Sequence, residues 1–238
     1  MINEITIVEL IWMVILTIYT VSITFLTKKT YDLMVKKGIK KGDAVYYNRK
    51  LVHIFAGGVI ALMVPIVFSS SIYPLFCGIS ITIITYLSHK KRKGKLLYWF
   101  QTEDNLNDVS FCFMWGITIF VLWEVMNAMG NHAGAPWIAI IPAVFVSFGD
   151  GVTGIARNAL FKKRTKHPIG NVFMAAVCIP LGYFLAGFGG IAIGGVIAAI
   201  VASIMERYEF GPIDDNILIT ISSSIVLCVY IITVANIV

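Results

Sequence analysis

Stretches of about twenty apolar residues, separated by short charged loops, recur along the whole chain and leave it one class of fold. Inside hydrocarbon a backbone N–H or C=O finds only the partners that the protein supplies, so segments of this kind cross a bilayer as helices. Eight candidates, each close to the length that spans about 30 Å of hydrocarbon, are 5–27, 51–68, 72–88, 109–126, 136–156, 170–187, 189–205 and 217–237. With 58% hydrophobic residues, 13% charged residues and a mean hydropathy of +0.84, no stretch remains from which a soluble domain can be built. The expectation is an all-α, polytopic membrane helix bundle of about eight transmembrane helices, a single membrane-embedded domain over residues 1–238. Within it 1–27 holds the first helix, 48–216 the motif-bearing core and 217–238 the last helix.

Charge orients these spans. With the N-terminus outside, the inner loops hold eight Lys/Arg in 28–50, five in 89–108, five in 157–168 and Arg207, which accounts for all 19 in the chain. That is the positive-inside pattern without an exception. The net charge of +6 is therefore topogenic, it touches the anionic surface of the bilayer, and it implies no nucleic-acid partner. The first run carries Glu4 and Glu9 in front and Lys28 and Lys29 behind, the reverse of a cleaved signal peptide, so it is expected to stay as a membrane helix. Cys77, Cys112, Cys178 and Cys228 lie singly in apolar spans and read as packing residues, with neither a disulfide framework nor a zinc site.

Two cytosolic stretches look interfacial: a short amphipathic piece within 28–50 that carries Tyr31, Leu33, Met34 and Val35, and a return to the membrane surface at 96–105 through Tyr98 and Trp99, beside Glu103, Asp104 and Asn105. The sixth and seventh spans, rich in Gly182, Gly190, Gly194, Gly195, Ala198 and Ala199, are expected to pack closely. Nothing in the sequence indicates a homo-oligomer.

Asp150 is the residue that least belongs in its surroundings, because it interrupts the apolar run that begins at Trp137. A carboxylate near the centre of a membrane helix costs roughly 2.5–3.5 kcal/mol on insertion scales, so such a group faces the protein interior and marks a functional site. Its neighbours spell Gly149-Asp150-Gly151-x-x-Gly154, but no strand precedes the string, so it is not a dinucleotide-binding turn. The glycines suggest instead that something approaches closely. On a helix Asp150, Gly154 and Arg157 share one face that descends toward the inner surface.

The other suggestive polar residues crowd the same side. Arg49, Lys50 and His53 open the second span, where a cation and an imidazole three or four residues apart share a face suited to an anion. Lys162, Lys163 and Arg164 read as topological anchors, whereas Lys166 stands before Gly170 and Asn171, whose backbone N–H groups at a helix start make a phosphate site. Glu206, Glu209, Asp214 and Asp215 place four carboxylates in ten residues, an invitation to magnesium, although Asp214 or Asp215 equally suits the N-cap of the last span. On the outer side Glu4, Glu9, Glu124 and His132 need no role beyond an interfacial position.

Arg49-Lys50-x-x-His53, Gly149-Asp150-Gly151-x-x-Gly154, Lys166-x-x-x-Gly170 and Glu206 followed by Ile213-Asp214-Asp215-Asn216, in this order, resemble the motifs of the CTP-dependent polyprenol and lipid kinases, which include dolichol kinase, phytol kinase, farnesol kinase and a CTP-using diacylglycerol kinase. The resemblance spans about 48–216 and departs at Ile169, where the family commonly carries a glutamate. It implies an integral membrane enzyme, here of a prokaryotic plasma membrane with its site toward the cytosol, that transfers the γ-phosphoryl group of CTP, with Mg²⁺, to the hydroxyl of an isoprenoid alcohol. In that scheme Asp150 accepts the proton or holds the metal, and Asp214 and Asp215 bind Mg²⁺. Arg49, Lys50, Arg157 and Lys166 neutralise phosphate together with Gly170 and Asn171, and His53 and Glu206 orient the groups. Cytidylyl transfer to a lipid phosphate uses the same ingredients, and a small lipid transporter is the non-enzymatic reading.

Overall fold

The computed structural model describes residues 7–90, 97–102, 105–161, 165–211 and 213–235. Of the residues singled out above, Glu4, Glu103, Asp104, Lys162, Lys163 and Arg164 lie outside the described residues. The described chain is all-helical, as the apolar runs require. Its helices are α1 (Ile7–Lys36), α2 (Lys41–Val67), α3 (Ile72–Lys90), α4 (Asn107–Ala128), α5 (Ala135–Phe161), α6 (Ile169–Gly187), α7 (Ala192–Met205) and α8 (Asp215–Val234). Seven are long and apolar enough to cross a membrane. The eighth, α7, has 14 residues, which at about 1.5 Å of rise each reach roughly 21 Å and fall short of a full hydrocarbon crossing.

Burial separates the helices into roles. Only 11% of the apolar window of α1 is buried against protein, whereas 83% of that of α5 is. A helix that is apolar on every side belongs in the middle of a bundle. α5 is that central helix: Ile138, Ile140, Ile141, Val144, Phe145 and Val146 are fully enclosed by α2, α4, α6 and α8. Asp150 therefore sits on the most deeply buried of the described spans.

α6 and α7 pack as the small residues foretell. A Cβ added at Gly182 or Gly195 would strike the other glycine's carbonyl, and the turn between the helices closes at Gly190, whose φ of 77° is left-handed. The cysteines are free, in keeping with packing.

The two interfacial stretches fold differently from expectation. The residues from Lys28 to Lys36 do not form a separate surface helix; α1 simply continues through them, and after a turn at Gly38, φ 84°, α2 starts at Lys41. Tyr31, Met34 and Val35 pack instead on Ala44, Val45, Leu97, Trp99 and Phe100 in a second, smaller core, while Leu33 is exposed. Trp99 is buried there and donates its indole N–H to Thr24 O, and Asn48 ties the loop down through Trp99 O and Thr27 O. Both stretches bury most of their apolar content against each other, while Leu33 and Tyr98 stay exposed, as the interfacial reading expects.

Candidate functional site

Four helices and one loop bring the buried charges together. Asp150 starts the last α-helical stretch of α5, directly after a π-helical segment, Phe145–Gly149. Lys50 reaches it from α2 and donates to both carboxylate oxygens at 2.6 Å. The stem of Lys50 lies across Gly154: a Cβ there would stand 2.5 Å from Lys50 Cε and 2.7 Å from the Tyr46 hydroxyl. Gly151 admits Ile54 in the same way, and Gly149 admits Cys178 and Met174. What comes close to the glycines is thus the neighbouring helices, which must approach for Lys50 to meet Asp150.

Two further pairs follow the same rule. Arg157, two turns along α5, grips Glu206 with both guanidinium ends, at 2.7 and 2.8 Å, and donates its Nε to His167 O at 2.9 Å. Lys166, in the loop between α5 and α6, donates to Asp215 Oδ2 at 2.8 Å and to Glu206 O at 3.0 Å, and lies 3.0 Å from Glu209. Each of Asp150, Glu206 and Asp215 thereby meets a cation from another part of the chain. Among the described residues Asp150, Glu206 and Asp215 are also matched to one another, for their ligand atoms all lie within 4.8 Å. Removing three carboxylates from water without such pairing would be prohibitive.

The cluster opens in one direction. The side chains of Asp150, Arg157 and Glu206 are at most 4% exposed, whereas Lys166 is 33% and Glu209 41% exposed, so the mouth lies at the Lys166 loop. Burial, reinforced by the charge of Asp150, pushes the Glu206 carboxyl up to about 7 even though Lys166 and Arg157 pull it down. At Lys166 burial works against the charge, yet Asp215 and Glu206 hold the ammonium above the ordinary lysine range. An all-oxygen set of three carboxylates suits a hard divalent cation.

Asp214 and Asp215, adjacent in sequence, part company here. Asp214 caps α8, accepting from Ile217 N at 3.1 Å, from Asn216 Nδ2 at 3.1 Å and from the Ser110 hydroxyl. Burial, with Asp215 adding its charge, raises its carboxyl above the usual range although Ser110 opposes this. One residue on, the helix has turned, and Asp215 faces the cluster. The acid that completes the group is Glu206, not Asp214.

Gly170 and Asn171 do not offer backbone donors to an anion. Their N–H groups are engaged by His167 O and Pro168 O, and Ile169 N donates to His167 Nδ1. Gly170 serves by having no side chain, because a Cβ there would overlap the Arg157 guanidinium. Asn171 accepts from Arg157 Nη2 at 3.5 Å and donates to Ser203 O. Arg49 turns away from the cluster and donates to Asn105 Oδ1 at 3.3 Å. His53 lies inside it, with Nδ1 3.4 Å from Asp150 Oδ2 and its ring stacked on Phe111.

One buried acid escaped the sequence reading. Asp108, in the first turn of α4, accepts from Gln101 Nε2 at 2.6 Å and lies 2.9 Å from His89 Nε2, with Gln101 also held by Ser88. Placing the start of the fourth span at 109 left Asp108 in a loop; an acid at a helix N-terminus is the signal that would have drawn it in. Comparison with protein-family models, with curated proteins and with solved structures finds no match for this chain.

Proposed function

We propose that this chain is a membrane lipid kinase that transfers the γ-phosphoryl group of CTP to the hydroxyl of a polyprenol, dolichol-type or related isoprenoid alcohol. What supports the reading above all is the convergence of Asp150, Glu206 and Asp215 within 4.8 Å, each carboxylate carrying a cation that a polyphosphate can claim. These residues lie as far apart in sequence as Lys50 and Asp215, and they belong to the motifs that resemble the CTP-dependent lipid kinases. In this reading the chain crosses the plasma membrane of a prokaryote with its N-terminus outside, α7 completes the eight-helix plan, and the Lys166 mouth faces the cytosol.

Phosphoryl transfer asks a protein mainly for alignment and for neutralisation of charge. The alcohol oxygen bonds to the γ-phosphorus as the bond to the β–γ bridging oxygen breaks. CDP leaves, and the hydroxyl proton passes to Asp150, the deepest carboxylate. Lys166 meets the nucleotide first, because it is the exposed cation, and Lys50 turns from Asp150 toward the transferred group. Arg157 is likewise drawn from Glu206 toward the phosphates, which frees that carboxylate. A magnesium ion held by Glu206 and Asp215 would offset the charge of the phosphates.

The test supplies membranes containing the chain with an isoprenoid alcohol and CTP labelled at the α or the γ phosphate. Label passing from γ to lipid, dependent on magnesium and abolished by Asp215→Asn, is expected. Passage from α instead identifies cytidylyl transfer, and no passage from either, across a series of alcohols, sinks both.

A further inference from the structure

Two helices of the bundle loosen at the same level. The segments His53–Gly58 of α2 and Phe145–Gly149 of α5 are both π-helical, and they pack against each other beside Asp150. Such wide turns are uncommon and gather at functional sites. Here each leaves a buried polar group stranded. Ser147 Oγ has no hydrogen-bond partner, and neither has Nδ1 or Nε2 of His53; the residues are 0% and 3% exposed.

The Ser147 case is pointed because the chain treats other helical hydroxyls differently. Thr20, Thr82, Thr220 and Ser223 each donate to a carbonyl one turn back, which is how a helix in hydrocarbon usually satisfies such a group. Ser147 does not. At His53 the ring nitrogen Nδ1 stands 3.4 Å from Asp150 Oδ2, beyond the usual 2.7–3.2 Å range. The two stranded groups border the same wall: the His53 ring stacks on Phe111 at 3.8 Å, and a Cβ at Gly57 would lie 2.5 Å from Phe111 Cζ and 2.9 Å from Ser147 Oγ.

The geometry points to the crossing of the two π-helical turns as the seat of the acceptor alcohol's hydroxyl, with Ser147 donating to its oxygen and His53 accepting its O–H. This deepens, and rests on, the kinase reading. A hydroxyl suits the place because it both donates and accepts without charge, beside the apolar ring of Phe111. The proton reaches Asp150 through His53: one ring nitrogen accepts it from the alcohol as Nδ1, 3.4 Å from Asp150 Oδ2, gives its own to the carboxylate.

The test uses the full chain with farnesol as the probe, in two arms. In kinetics with CTP, Ser147→Ala is expected to raise the KM for farnesol about tenfold, the effect of one lost hydrogen bond, and to leave the KM for CTP unchanged. In thermal unfolding without nucleotide, farnesol is expected to raise the Tm of the wild type and not that of Ser147→Ala. The variant's own Tm should equal or exceed the wild type's, because an unpaired buried hydroxyl is removed, so loss of fold cannot mimic the result. An active wild type whose farnesol KM is indifferent to Ser147→Ala overturns the subsite and spares the kinase reading. A farnesol-dependent Tm shift that the variant loses, without phosphoryl transfer in the wild type, does the reverse, and an absence of both overturns both.

Discussion

The two ends of the bundle handle buried acid in different ways. At the end where α1 begins, Glu9 is 5% exposed and accepts from Ser69 N, Ser69 Oγ and the Tyr73 hydroxyl, and Glu124 accepts from Ser71. At the other end Asp150, Glu206 and Asp215 are each held by a lysine or an arginine. The hydroxyls and the amide that donate to Glu9 and Glu124 fasten the segment from Ser69 to Tyr73 and carry no charge themselves that a ligand can borrow. A carboxylate paired with a cation can release it to a phosphate and turn to a metal. The first arrangement suits a clasp and the second a reaction.

Substitutions can break this contrast, and the largest effects belong to the charged end. Asp150→Asn leaves Lys50 buried without its counter-charge, so stability should drop by about 3–5 kcal/mol and phosphoryl transfer should vanish; both are read from unfolding of the purified chain and from label transfer. Asp215→Asn should cut transfer by about a hundredfold or more, as removal of a charge-stabilising group does. Next to it, Asp214→Ala should lose only a helix cap, about 1 kcal/mol, and keep activity within a few-fold. Equal losses at the two positions would erase the distinction between them. Gly154→Ala should lower transfer about tenfold by pressing on the Lys50 stem, an overpacking effect, with a smaller change in Tm than Asp150→Asn produces. Smallest of all, Glu9→Gln keeps one acceptor oxygen and loses the second of the pair that serves Ser69 and Tyr73, which should leave transfer unchanged while costing about 1 kcal/mol. A large loss of activity there would show that the two ends are not different in kind.

Much of the site could be read in the chain before folding. Asp150 announced itself by its setting, and the placement of cations on one side of the predicted spans put Lys50, His53, Arg157 and Lys166 at one end, where the structure gathers them. The pairing could not be read. Lys50 and Asp150 are 100 residues apart, and nothing local says that Lys50 rather than Arg49 points inward; the helical phase of α2 sends one to Asp150 and the other to Asn105. The same phase argument separates Asp214 from Asp215. Gly170 and Asn171 had the right composition for an anion site, but the turn from His167 to Asn171 consumes their N–H groups. Asp108 hid for the opposite reason, because its partners Gln101 and His89 come from a loop and a helix end with no pattern of their own.

Hydropathy and loop charge alone were enough to make this chain an all-helical bundle of membrane-spanning length with its buried ion pairs gathered at one end, since water and hydrocarbon sort residues by type whatever their neighbours are. Which acid meets which base, which aspartate caps and which faces the cluster, and where two helices widen into π-helical turns around Ser147 and His53 came only with packing. Those outcomes depend on the rotation and closeness of whole helices, set by contacts such as Gly154 against Lys50 and Gly170 against Arg157, and no single segment carries that information.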